Sequence, residues 1–393
     1  MPPLVVRGRV TLAHDGRVRL EHAIDPPRDL SWPDASEVLL GAWVELALDD
    51  AGAQVTEARV VQPAHAAFPR AGGDWLAFHR DGRRRLHLLT RRAAMLRALR
   101  DHLAREDFLE VETPLAVPSP GLDVHLSAFE VLGMPAPRWL ITSPEYQMKR
   151  LLAAGVPRLY EIVRCFRKDE RGQRHEPEFT MLEWYRAFAD AGALMGDTEQ
   201  IVAALALAAH GQTRIAIDAL GAQSDAIELA PPWERITVEA ALLRYAGLHL
   251  FEVLPDEERF FHVWSHEVEP KLGFDRPVFV VDWPASMASL ARLHPDRPHL
   301  ADRFEAYACG IELCNGFGEL TDPVEQRTRL VRDQEERRTR GLPIYPIDER
   351  FLGALEEGLP PCAGNALGLD RVIALLLGAP TIADVMAFGS ERL

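Results

Sequence analysis

At 393 residues, 47% hydrophobic and 26% charged, the chain has ordinary globular composition, and its length permits one large domain or two or three smaller ones. No apolar run approaches the roughly 18 residues of a membrane span, and the N-terminus Met1-Pro2-Pro3-Leu4-Val5-Val6 lacks the basic-then-apolar pattern of a secretory signal. A formal net charge of −15 argues against the globally basic face of nucleic-acid binders. Cys165, Cys309, Cys314 and Cys362 form no CxxC pair and no metal-ligand spacing, which suits reduced thiols and a cytoplasmic location.

Residues 1–70 read as a small β domain. "PLVVRGRVTL" and "RVRLEH" flank the turn signal Asp15-Gly16, and "AWVELALDD" and "QVTEARVV" follow, so four or five strands in a short barrel are expected. The Pro-rich "DPPRDLSWPDAS" between them reads as a loop. The acids outnumber the arginines here, and neither a positive groove nor clear stacking aromatics for single-stranded RNA is offered. Residues 71–87 read as a linker. "HRDGRRRLHLLTRR" (79–92) is either a solvated helix start or a docking patch for an acidic partner.

The main domain is expected over 88–393. A helix from near Thr90 carries Leu96, Leu99 and Leu103 on one face, and "EDFLEVETP" then alternates Leu109 and Val111 with acids, as a half-buried strand does. Strands follow at 138–142, 158–166 and 178–186, then an Ala/Leu-rich helix near 197–210. "RPVFVVDWPA" and the hairpin "RFEAYACGIELCNGF", turning near Cys309-Gly310, give further strands, and "GNALGLDRVIALLLG" (364–378) closes as strand then helix. Strands separated by long insertions with flanking helices predict an α+β fold around an antiparallel sheet.

Three motifs carry chemistry. "FRKDERGQRHEPEF" lies between two predicted strands. Its Arg167, Arg171, Arg174 and His175 suit a polyphosphate, because guanidinium forks pair with phosphate oxygens. Phe179 offers a ring face for a base, although from this stretch alone a solvated hairpin with a core Phe is the plainer reading. In "RFEAYACGIELCNGFGEL", Glu305, Glu312 and Glu319 sit on or beside apolar strands, where carboxylates are costly unless paired or bound to a cation. Glu305 and Glu312 face each other across the predicted hairpin, a geometry for a Mg²⁺–phosphate complex or for structural ion pairs. "GNALGLDR" places Arg371 at a helix mouth after small residues that let a ligand approach the backbone.

These pieces in this order resemble motifs 1, 2 and 3 of class II aminoacyl-tRNA synthetases. "TSPEYQMKRLLAAG", "FRKDERGQRHEPEFTMLEWYR", "GIELCNGFGELTD" and "GNALGLDR" resemble the lysyl-tRNA synthetase branch, and most of all the elongation factor P–(R)-β-lysine ligase family, over 88–393 apart from the middle segment. The resemblance implies ATP and Mg²⁺ as cofactors. It implies that Arg167 grips the α-phosphate and Arg371 the γ-phosphate as catalytic groups, with Phe179 stacked on adenine. Lys168, Asp169, His175, Glu176, Leu313 and Gly368 complete the ATP site, and Glu305 and Glu312 hold the metal. Ser143, Pro144 and Glu145 frame the amino acid, Glu183, Tyr185 and Glu319 take its ammonium, and Asn315 orients its carboxylate.

The chain departs from the family pattern at Asp169, where the family has Glu, and at Glu176, where it has Asn. Ala366 and Cys314 stand where tRNA synthetases tend to have Gly, and are expected to shape the amino-acid pocket. The N-terminal β region is also a departure, since members of the ligase family lack it. The implied activity is adenylation of lysine or (R)-β-lysine and its transfer to a lysine side chain of elongation factor P. Transfer to a tRNA, a carrier protein or a small molecule, or a non-catalytic binding role, are the alternatives; tRNA is not expected as partner. A homodimer paired through 90–114 is also implied.

Overall fold

The computed structural model describes residues 4–22, 26–35, 40–65, 67–217 and 225–392. They divide into two compact units, residues 1–91 and 92–393. In the smaller, β1 (Leu4–His14), β2 (Arg17–Glu21), β3 (Arg28–Ser31), β4 (Trp43–Leu48) and β5 (Val55–Gln62) form one antiparallel sheet in the order β3-β2-β1-β4-β5. Asp15 and Gly16, both at positive φ, make the tight β1–β2 turn. Alternation along the strands buries Val10, Val18, Leu20, Leu30, Val44 and Leu46 together. The Pro-rich stretch expected as a loop contains β3: flanking prolines conceal a four-residue strand whose Leu30 points inward. Residues 25 and 36 of that stretch lie outside the described residues.

Helix α1 (Asp74–Arg105) begins well before Thr90, and residues 71–87 are helical from Asp74 onward. Arginine is a good helix former, so the basic run extends the helix without needing an apolar stripe. The side chains at 80–83 of that run lie outside the described residues. Met95, Leu99 and Leu103 make the buried stripe. The strand after it, β6 (Leu109–Glu110), is shorter than expected and Leu109 is 54% exposed, because β6 is the sheet's edge and Phe108 supplies the buried contact.

After a short pairing of β7 (Ala116–Val117) with β8 (Trp139–Leu140) come α2 (Glu145–Ala153), β9 (Arg158–Phe166), β10 (Glu178–Ala187) and α3 (Ala191–His210). The middle segment adds the ribbon β11 (Arg214–Ala216) with β12 (Ala226–Glu228), then β13 (Glu234–Thr237), α4 (Val238–Ala246), α5 (Leu250–Val253) and α6 (Glu257–Val263). The chain finishes with β14 (Val278–Pro284), β15 (Leu293–His294), β16 (Arg297–Ala308), β17 (Ile311–Gly318), α7 (Pro323–Thr339), α8 (Glu349–Gly358), β18 (Cys362–Gly368) and α9 (Leu369–Leu377). Among the described residues a nine-stranded sheet runs β13-β14-β16-β17-β18-β10-β9-β6, with β15 on β16. It is antiparallel apart from the β13–β14 and β6–β9 pairings, so the α+β expectation holds. Cys309 and Gly310, at positive φ, turn the β16–β17 hairpin where expected. No helix among the described residues is long and apolar enough to cross a membrane.

Candidate active site

Strand register builds the site. Glu183 on β10 pairs with Ala366 on β18, Ala366 with Asn315 on β17, and Asn315 with Glu305 on β16, one continuous row across the sheet. The next row on the same face reads Tyr185, Gly364, Phe317 and Arg303. Small residues at Ala366 and Gly364 leave a hollow between the flanking polar groups. A Cβ at Gly364 would sit 2.6 Å from a Glu319 carboxylate oxygen and collide with the Tyr185 ring.

A bulge completes the row. Ala306 pairs with Cys314 but Tyr307 pairs with Glu312, so Leu313 is the extra residue on β17. Without it, strict alternation would put Glu312 and Asn315 on opposite faces; the bulge brings them to the same one. Glu305, Glu312 and Asn315 consequently line a common space.

At one end of this face lies an amino-acid-sized cavity of about 150 Å³, lined among others by Ser143, Glu145, Glu183, Tyr185, Asn315, Glu319 and Ala366. Ser143 Oγ donates to Glu183 at 2.6 Å, and Tyr185 Oη donates to the other Glu183 oxygen at 2.6 Å. Lys149, 0% exposed, donates to Glu145 at 2.6 Å and forms an ion pair with Glu319, which is 1% exposed. Burial works against the Lys149 ammonium, yet Glu145 and Glu319 together lift its pKa above the usual lysine value. Burial, and then the neighbouring carboxylates, push Glu183 up to about 8. Burial and Glu145 likewise push Glu319 up to about 8, against the pull of Lys149. Both shifts share one origin: Glu145, Glu183 and Glu319 converge with one internal ammonium between them.

A second cavity, of about 240 Å³, carries the opposite chemistry. Arg167, Arg174, His175, Phe179, Glu305, Glu312, Leu313, Gly368 and Arg371 all line it. The Arg371 guanidinium reaches the Glu312 backbone carbonyl at 3.2 Å, the Glu312 carboxylate at 3.5 Å and His175 Nε2 at 2.7 Å. Burial and the adjacent Arg371 lower the His175 pKa, which keeps its ring neutral beside the guanidinium. Arg167 lies over the Phe179 ring at 5.1 Å and donates to Glu170 at 3.2 Å. Glu305 accepts from Arg303 at 2.6 Å and from Tyr307 Oη. Burial pushes Glu305 up to about 7, Arg303 opposes this, and Glu312 adds to it. Two carboxylates crowded beside arginine-lined space fit a hard divalent cation that takes its remaining oxygens from phosphate.

Several sequence-derived site residues lie elsewhere. Lys168 and Asp169 occupy an exposed turn outside both cavity linings, where Glu170 supplies the inward carboxylate. Cys314 is buried on the opposite face from Asn315 and lines neither cavity, because adjacent strand residues alternate. Pro144 is the N-cap of α2 and is absent from the lining. Glu176 does line the second cavity, but one carboxylate oxygen accepts the Ser390 N–H at 2.9 Å and so serves the C-terminal segment.

Three groups went unread in the sequence. Lys149 stands four residues after Glu145 on α2, a spacing that could have revealed the pair. Arg303 stands two before Glu305 and so shares its face, donating to Asn315 at 3.0 Å as well. Asp370 accepts the Thr180 N–H at 2.6 Å and pairs with Arg92 at 2.6 Å, tying α9 and α1 to β10 behind the site.

The family model for class II tRNA synthetases (D, K and N) matches residues 75–392. The elongation factor P–(R)-β-lysine ligase of Proteus mirabilis (strain HI4320) is 42% identical over 310 residues, covering 77% of this chain and 95% of that protein. The ligases of the same name from Klebsiella pneumoniae (strain ATCC 700721 / MGH 78578) and Hamiltonella defensa are 41% and 40% identical, with the same coverage.

Proposed function

The chain belongs to the class II tRNA synthetases of the D, K and N type, and from that premise we propose that it is an ATP-dependent ligase. It activates lysine or (R)-β-lysine as the adenylate and transfers it to a lysine side chain of elongation factor P. The observation that carries the amino-acid class is the cluster of Glu145, Glu183 and Glu319, in which Lys149 pairs with Glu145 and Glu319, and Arg167 is the one basic side chain among the described residues of the cavity lining. A diamino acid brings two ammonium groups that favour the ionised forms of these carboxyls, whereas a neutral side chain offers them no charge partner. The relatives' printed names supply the acceptor.

Asn315 lines both cavities and stands where they meet, so it orients the amino-acid carboxylate toward the nucleotide. That carboxylate attacks the α-phosphorus of ATP, the bond to the bridging oxygen breaks, and pyrophosphate leaves. Arg167 and Arg371 offset the charge that builds on the phosphates, and Phe179 gives adenine a flat face. Glu305 and Glu312 would hold Mg²⁺, which when bound screens phosphate charge. Positioning and fixed charge are the chain's contribution, with no side chain needed as covalent nucleophile. In the second step an acceptor amine attacks the acyl carbon, an amide forms, and AMP leaves.

A homodimer belongs to this reading too. Leu109 within the 90–114 segment and Leu115 just after it leave apolar side chains exposed. The buried free cysteines suit a cytoplasmic setting. The division into a β domain (1–70), a connecting segment (71–87) and a catalytic domain (88–393) is likewise proposed. The testing experiment is incubation with ATP, lysine or (R)-β-lysine and elongation factor P, followed by intact-mass analysis. One added aminoacyl group on the factor is expected; an unmodified factor with both amino acids would overturn the assignment.

A further inference from the structure

A third cavity, of about 700 Å³, opens from the same junction. It shares Glu305, Glu312 and Asn315 with the nucleotide cavity, and Asp123 and Asn315 line all three spaces. Its outer wall comes from parts of the fold that neither the amino acid nor ATP uses. Phe261, on α6, lines it together with Trp264, just beyond that helix, and Trp283 of β14, and the two indole rings are 5.0 Å apart. Both indole N–H groups are satisfied inside the protein, Trp264 on Tyr307 Oη at 3.1 Å and Trp283 on the Val280 carbonyl at 3.2 Å. The indoles are therefore fixed, the Arg303 guanidinium lies over the Trp283 ring at 4.7 Å, and Phe261 is the aromatic side chain left exposed beside them.

The lining is also rich in acids. Asp123, Glu257, Glu269, Asp333 and Glu336 face the cavity. Of the described basic groups in the lining, Arg303 is committed to Glu305, and Arg332 pairs with Asp333 at 3.2 Å. His125 lies 3.8 Å from Glu257. The charge is thus opposite to that of the nucleotide cavity, where Arg167, Arg174 and Arg371 stand. A polyphosphate is drawn to one approach and repelled from the other.

We propose that this third cavity is the passage by which the acceptor reaches the adenylate, and that its acidic, aromatic lining fits a lysine side chain carried on a basic protein loop. The inference rests on the ligase reading and adds to it the acceptor's route and chemistry. Four methylenes suit the indole and phenyl walls, and the ammonium suits the carboxylates. A tRNA end, with a phosphate on every nucleotide, would bring like charge to the same carboxylates. In the passage the ammonium gives up its proton to the lining carboxylates or water. The freed amine nitrogen bonds to the acyl carbon, the acyl–phosphate oxygen bond breaks, AMP departs with that electron pair, and the nitrogen's second proton passes to the departing phosphate or to water.

The test uses the full chain, with Glu257→Lys/Glu336→Lys and Phe261→Ala as variants. Glu336 pairs with Arg340 at 2.5 Å and Glu257 lies 4.0 Å from the same guanidinium, but the Glu257 and Glu336 side chains are 48% and 37% exposed, so reversal removes only surface pairs and should leave folding intact. Two quantities are measured: lysine-dependent ATP–pyrophosphate exchange, and the KM for elongation factor P in the mass assay. Exchange is expected to stay within about twofold of wild type, which also certifies the fold. The acceptor KM should rise about tenfold or more in the charge-reversed variant, by a smaller factor in Phe261→Ala, with the charge effect shrinking at high salt. Elongation factor P modified by both variants with wild-type KM would overturn the passage while leaving the ligase reading in place. A wild-type enzyme that activates lysine but charges tRNA instead of the factor would overturn both.

Discussion

The amino-acid pocket and the nucleotide cavity begin on the same row of strand residues, yet they handle charge in opposite ways. In the pocket, Glu145, Glu183 and Glu319 meet near the buried Lys149, and the two buried carboxyls, Glu183 and Glu319, respond by rising to about 8. In the nucleotide cavity the arginines are partly exposed, held by backbone carbonyls such as that of Gly310 for Arg174 and of Glu312 for Arg371. A buried surplus of one sign is unfavourable until a ligand of the other sign arrives, so the pocket discriminates. Partly exposed arginines stay charged at little cost and supply affinity for a polyanion. One sheet face therefore separates selection from phosphate binding by depth of burial.

The comparison breaks most sharply on the arginine side. Arg371→Ala should lower lysine-dependent exchange by about 10³-fold, since it removes a donor aimed at developing phosphate charge. Near wild-type turnover would mean that the nucleotide sits elsewhere. On the pocket side, Lys149→Met leaves Glu145 and Glu319 without their cation and should cost about 3–5 kcal/mol of stability, read by denaturant unfolding. Added lysine should recover part of that loss, because its ammonium groups replace the missing charge. Glu319→Gln should raise the KM for lysine by about 10²-fold while the KM for ATP changes little, a split that keeps the two cavities separate.

The pH dependence sharpens the same contrast. Glu183 and Glu319 hold protons up to about pH 8 in the empty pocket, and a diamino acid binds their ionised forms. The KM for lysine should therefore climb as pH falls below about 8, by up to about tenfold per unit for each proton displaced. A carboxyl raised in the folded state binds a proton that the unfolded chain has already released, so the empty protein should lose stability as pH rises from 4.5 toward about 8. Lysine should stabilise it most at the upper end of that window. The smallest effect is expected at Asp169→Glu, which restores the family residue in an exposed turn and should change exchange less than about twofold.

Much of this was legible in the letters because nucleotide chemistry is concentrated in contiguous stretches. Arg167, His175 and Phe179 come from one loop and strand, and Arg371 follows small residues at a helix mouth, so residue type and spacing reveal them together. The long strands β9, β10, β14, β16 and β17 were legible for a similar reason, since each is a run of seven or more residues rich in apolar, β-branched or aromatic side chains. What remained hidden depends on pairing between distant segments. The Leu313 bulge that aligns Glu312 with Asn315 is a property of two strands in register. Cys314 looked like a pocket residue because its neighbours are, but alternation turns it away. Lys149 reads as one more surface helix lysine until Glu319, far along the chain, closes over it. Asp169 drew notice as a departure from the family pattern, whereas the fold gives the inward position to Glu170.

The central claim is that a buried excess of carboxylates selects a diamino acid for adenylation. Amino-acid-dependent ATP–pyrophosphate exchange with lysine, (R)-β-lysine and norleucine, which lacks the side-chain ammonium, tests it directly. The account predicts exchange with lysine or (R)-β-lysine and at least about 10²-fold less with norleucine; norleucine exchange at a comparable rate would contradict it.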